Sequence, residues 1–187
     1  MTFDKNEFFI ETAKRITSSL DVETALWRCL QYLETVIPVT GMNLQLFERN
    51  FTEMRTIAHV TRYEIEKLDR IMSLPDDAGY WFKRGWSEMR EAIIINQPES
   101  NPAMRAITET VGQTNASIML MRLEMEGKRL GGLSIFADGK GRYTSEHAEL
   151  LSKKFVFSRI NWPTITSTFI KSSYASPEMK LSARIKD

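Results

Sequence analysis

From Val22 onward, apolar residues recur at three- and four-residue steps: Val22, Ala25, Leu26, Cys29, Leu30, Leu33, Val36 and Ile37. That spacing predicts one apolar stripe along a helix, with Asp21 as its N-cap and Pro38 as its stop. Phe9, Ala13, Ile16 and Leu20 predict an earlier helix over residues 4–19. The period then changes. Met42–Glu48 alternates and predicts a strand, with a turn over 49–53 and a returning strand at Met54–Val60. Tyr63–Met72 is charged and partly helical in pattern. Pro75-Asp76-Asp77 predicts a helix start, running to about Arg84 with Gly85 past its end. Ala92–Ile95 is a short apolar strand, and Asn101-Pro102 opens a helix that Gly112 closes.

Two longer strands follow, Ala116–Glu124 and Arg129–Phe136, joined at Glu126-Gly127-Lys128. A final helix starts at Thr144, with Tyr143 before it placed to pack on Ala148. Its inward positions are Ala148, Leu151, Phe155 and Ile160, and Pro163 interrupts it. Beyond, Ser172–Pro177 is a polar connector. The chain ends at Asp187 without a terminating signal, as expected for a piece of a longer protein.

Composition narrows the function classes. Apolar residues make up 42% of the 187 positions, enough for a real core. A net charge of +1 supplies no field for nucleic acid or a membrane surface. Cys29 is the only cysteine, which excludes an intramolecular disulfide and fits a reducing compartment. The N-terminus lacks the order of a secretory signal, and no apolar run approaches the ~18 residues of a membrane span. A soluble cytoplasmic chain is expected.

Candidate chemistry is sparse. Neither His59 nor His147 has a companion at zinc-ligand spacing, so no metal site is expected. On its own, His59 reads as a strand-face histidine satisfied by its neighbours. Cys29 on its apolar stripe reads as a small hydrophobe. Asp76-Asp77, Glu64 and Glu66 read as capping or solvated charge. Gly131-Gly132 opens a strand, which excludes a phosphate loop and suggests close helix packing. No nucleophile motif appears, so no catalytic residue is assigned and no cofactor is required.

The better clue lies on one strand. Met42, Leu44 and Leu46 point one way; Asn43, Gln45 and Phe47 point the other. Two amides beside an aromatic suit a small-ligand pocket, while solvent exposure of the amides is the competing reading. Tyr80, Trp81, Phe82 and Trp86 cluster in the covering segment, as a lid or as satellite core. Met119 and Met121 on the next long strand fit a deformable pocket wall or ordinary core. The candidate pocket set is therefore Asn43, Gln45, Phe47, His59, Tyr80, Trp81, Trp86, Met119 and Met121.

Ser19–Leu26, Met42–Glu48, Gly127–Ile135 and Tyr143–Leu151, in this order, resemble a GAF domain over residues 6–160. The resemblance implies an α+β fold: a central antiparallel sheet of five or six strands, terminal helices on one face, pocket loops and short helices on the other. Residues 1–160 would be the sensory domain and 161–187 a connector. Asn6–Phe9, Asn96–Ser100, Asp138–Thr144 and Lys180–Asp187 look most like the N-terminal sensory domain of bacterial sigma-54-dependent activators. That implies a non-catalytic input module, responsive to an unidentified small molecule and homodimeric through its terminal helices. It would control a downstream AAA+ ATPase and DNA-binding domain, hence transcription, without itself touching nucleic acid. A ligand-free dimerisation or protein-docking module is the alternative.

Overall fold

Helix α1, Val22–Leu33, follows from the apolar stripe, and its residues Leu26, Leu30 and Leu33 are fully buried. The computed structural model describes residues 22–47, 51–88, 92–125 and 128–152. The helix expected at 4–19, the Asp21 cap, the 126–127 turn and everything past residue 152 lie outside the described residues. α1 stops a turn earlier than the stripe suggests. The Thr35 hydroxyl donates to the Tyr32 carbonyl at 2.7 Å, and the Val36 N–H turns to Leu33 O instead. A local side-chain bond of this kind offers the backbone an exit from the helix.

Six strands form one antiparallel sheet: β1 Gly41–Phe47, β2 Glu53–Thr61, β3 Ile65–Ser73, β4 Ile93–Ile95, β5 Ala116–Met125 and β6 Lys128–Asp138. Their spatial order is β3-β2-β1-β6-β5-β4. β3 corrects the partly helical reading of Tyr63–Met72. Pairing with β2 from Glu53↔Ser73 to Val60↔Ile65 supplies the ladder, while one edge stays open to solvent and carries charge. Charges on both faces hide the two-residue period that would mark a strand.

Three more helices complete the described chain: α2 Asp76–Glu88, α3 Pro102–Val111 and α4 Ser145–Ser152. α2 runs through Gly85 to Glu88, past the stop expected at that glycine; a lone glycine inside a helix costs about 1 kcal/mol but does not by itself end it. α3 matches its signals closely. The Asn101 side chain accepts from the N–H groups of Ala103 and Met104, and Gly112 adopts φ 73 at the C-cap. At α4, Thr144 Oγ1 accepts from the His147 N–H while His147 Nδ1 accepts from the Thr144 N–H, a reciprocal cap.

The sheet separates two apolar clusters. On one face, α1 and α4 pack on Met42, Leu44, Ile57, Met119, Leu133 and Ile135. Each such side chain contributes about 1.5–3 kcal/mol on burial, so this face is the main stabilising core. On the other, α2 and α3 pack through Ala78, Phe82, Met104 and Ile107 onto Met54, Ile118, Leu120 and Phe136. This places terminal-side helices on one face and intervening helices on the other.

Gly131 has a different role from the helix packing expected of it. A Cβ there would sit 2.0 Å from the backbone oxygen of Gln45. The glycine admits the neighbouring strand, not a helix.

Candidate functional site

The second face is incompletely filled. Between the sheet and α2–α3 lies a cavity of about 220 Å³. Its floor is polar along the middle: Asn43 and Gln45 from β1, Thr56 and His59 from β2, Ser134 from β6. Its cover is mainly apolar: Phe82 from α2, then Met104, Ile107 and Val111 from α3, with Thr108 and Gln113 beside them. Ile118, Leu120 and Phe136 close one side; Glu66, Leu68 and Arg70 of β3 close the other.

A bulge sets this floor. Leu44 opposes Ala58 and Gln45 opposes Thr56, so Ile57 is the extra residue of β2. Ile57 and Ala58 both turn into the main core, which leaves Thr56 and His59 together on the cavity face. Without the extra residue, strict alternation would send one of the two into the core.

The polar groups are paired across strands. Asn43 opposes both His59 and Ser134. His59 Nδ1 lies 2.5 Å from Asn43 Oδ1, and the His59 ring stacks on Phe136 with 5.9 Å between centroids. The Ser134 hydroxyl donates to Gln45 Oε1 at 2.6 Å in a buried setting. With these orientations, Nδ1 of a neutral His59 donates and Nε2 is left as an acceptor. Burial lowers the His59 pKa from 6.5, against the raising influence of Glu66 and Glu64 and with that of Arg70. The imidazole is therefore neutral at physiological pH. Gln45 Oε1 is taken by Ser134, so its NH₂ group is the donor available to the cavity. The Thr108 hydroxyl turns back onto the Met104 carbonyl at 2.9 Å and adds no donor.

No protein-family model matches the sequence, and neither does a curated protein. Solved structures do match. The GAF domain of A. aeolicus nlh2 in an inactive state aligns with a TM-score of 0.54 at 16% identity, over 90% of this chain and 96% of that one. The phycocyanobilin-bound GAF domain of a cyanobacterial phytochrome aligns with a TM-score of 0.58 at 10% identity, over 95% and 100%. The fRMsr of Staphylococcus aureus, solved with its substrate, aligns with a TM-score of 0.57 at 13% identity, over 88% and 97%. The fold is GAF-like.

Within this GAF-like frame the candidate residues divide. Asn43, Gln45 and His59 share the cavity floor. Phe47 does not line the cavity; it packs behind Phe82, with 4.8 Å between centroids. Trp81 is half-buried against the second cluster, edge-on to Phe82. Tyr80 is 66% exposed on the outer side of α2. The Trp86 side chain lies outside the described residues. Met119 and Met121 face the main core, and their neighbours Ile118 and Leu120 face the cavity instead. β5 is buried on both faces, so an unbroken apolar run gives no clue to which parity points where. Thr56, Ser134, Met104 and Ile107 were missed. Ser134 had a signal: it is the lone polar residue in Leu133-Ser134-Ile135-Phe136.

Proposed function

We propose that residues 1–160 act as a non-catalytic sensory domain that takes a small uncharged ligand in this cavity, with 161–187 carrying the response onward. One observation supports this above others: two hydrogen-bonded polar pairs, Asn43–His59 and Gln45–Ser134, sit under a mainly apolar cover. Burying polar side chains costs free energy that a purely structural core would avoid. At about 220 Å³ the cavity is smaller than the roughly 300–1,000 Å³ typical of sites for drug-sized ligands. The ligand class that fits is compact, with an amide-, lactam- or urea-like edge. It would accept from the amide NH₂ groups and donate to His59 Nε2.

The output is read from the resemblance of residues 96–100, 138–144 and 180–187 to sigma-54 activators. It is regulation of a downstream AAA+ ATPase, hence of transcription in the cytoplasm, through the terminal helices. A ligand shifts such a switch only by its difference in affinity between two arrangements. Native mass spectrometry of the chain against small amides, lactams and ureas tests the ligand reading. A one-to-one adduct that Gln45→Leu weakens about fivefold is expected, since losing one hydrogen bond costs roughly 1 kcal/mol. Adducts that survive Gln45→Leu unchanged overturn it. The ligand-free docking reading draws support from the open edge of β3.

A further inference from the structure

Of the groups on the cavity floor, His59 is the one whose hydrogen-bonding role reverses with pH. The hydroxyls of Thr56 and Ser134 rotate, and serve as donor or acceptor at any pH. The Asn43 and Gln45 oxygens are engaged by His59 and Ser134, so these amides offer NH₂ donors to a ligand.

The geometry fixes where a second ring proton goes. Nδ1 is held on Asn43 Oδ1 at 2.5 Å, and the ring lies within 10° of parallel to Phe136. An amide oxygen only accepts, so Nδ1 carries a hydrogen in the neutral ring and keeps it in the charged one. The added proton therefore lands on Nε2, which has no hydrogen-bond partner among the described residues. Asn43 and Phe136 hold the ring in one place. An acceptor becomes a donor without any movement of the floor.

The charges around the ring decide when this happens, not where. Burial is the largest influence and disfavours the proton. Glu66, directly opposite on β3, favours it, as does Glu64 just before that strand, while Arg70 disfavours it. Among the described residues, β1, β6, α2 and α3 bring no titratable or charged side chain to the cavity.

We infer that the proton on His59 selects the class of ligand. With His59 neutral, the cavity takes molecules whose edge carries both C=O and N–H, as in a lactam or a urea. With His59 protonated, it favours molecules of the same shape whose edge only accepts, as in a lactone. This rests on the ligand site proposed above, and adds to it a specificity-determining residue and a dependence on pH. Proton and N–H ligand oppose one another at Nε2, so each lowers the affinity for the other.

2-Pyrrolidinone and γ-butyrolactone test this, because they share one ring shape and differ in N–H against ring oxygen. NMR of the full 187-residue chain follows the imidazole Hε1 through a pH titration, alone and with each compound. His147, the only other histidine, is told apart with His147→Gln. 2-Pyrrolidinone is expected to lower the His59 pKa further, and γ-butyrolactone to raise it or leave it. In binding titrations, the preference for lactam over lactone is expected to fall about fivefold as His59 takes up its proton, the worth of one hydrogen bond. His59→Gln carries no titrating ring and is expected to hold one preference across the same pH range, with circular dichroism checking that it is folded.

Three results overturn the inference and leave the ligand site standing: both compounds moving the His59 pKa alike, a wild-type preference that does not change with pH, or an imidazole that stays neutral down to acid unfolding. Binding of neither compound also overturns it. Only when amides, lactams and ureas all fail to bind does the reading of the cavity fall with it.

Discussion

Asn43 and His59 stand directly opposite one another on β1 and β2, with 2.5 Å between Oδ1 and Nδ1. The pair fixes the amide and the imidazole together on the cavity floor. It also holds a titratable group where charge is disfavoured, because burial is the main influence on His59 and lowers its pKa.

This gives a pH dependence with a definite sign. In the unfolded chain His59 titrates near 6.5; in the folded chain it binds a proton only at lower pH. Above 6.5 both states are neutral and nothing is lost. As pH falls below 6.5 the unfolded state takes up the proton first, so stability falls until the folded state is protonated too. Urea unfolding at pH 7.5 and 5.5 is expected to show lower stability at 5.5. His59→Gln is expected to reduce that difference.

The Gln45–Ser134 pair predicts a coupled effect. Ser134→Ala leaves a buried amide oxygen without its donor and is expected to cost about 1–3 kcal/mol. Adding Gln45→Leu removes the orphan and is expected to recover most of that loss. Denaturant midpoints of the two single variants and the double variant measure the coupling.

Two glycines are expected to respond oppositely to alanine. At Gly131 the new methyl would meet backbone of β1, which cannot move without parting the sheet. The expected cost is at least ~2 kcal/mol. At Gly85, inside α2, the nearest atom is Ile93 Cδ1 at 3.6 Å, an ordinary contact. Gly85→Ala is expected to stabilise by about 0.5–1 kcal/mol, because alanine is the better helix former. Thermal unfolding of both variants separates the cases.

Asn101→Ala removes the acceptor for two N–H groups at the start of α3. The expected loss is ~1 kcal/mol. Because α3 supplies Met104 and Ile107 to the cavity cover, amide exchange in residues 102–111 is expected to quicken.

The sequence was most legible where one face of an element is buried and the other is not. Strict alternation put Met42 and Leu44 in the core and Asn43 and Gln45 on the opposite face, as found. Residues with a single conformational use were legible too: Asn101, Pro102 and Gly112 marked both ends of α3. β3 was obscured because its charges follow the demands of an edge rather than of a buried face. Met119 and Met121 were misplaced because a doubly buried strand carries no polar parity. The Ile57 bulge is a property of pairing between strands, and no local pattern in β2 announces it.

The central claim is that the polar floor of the cavity recognises a small uncharged ligand. Thermal-shift titration of wild type and of Gln45→Leu/Ser134→Ala with small amides, lactams and ureas tests it most directly. A ligand at about a hundred times its Kd adds ~2.7 kcal/mol, a shift of several degrees. The account predicts a saturable rise for wild type with at least one compound, and little or none for the double variant. Equal shifts in both proteins, or none in wild type across these compounds, would contradict it.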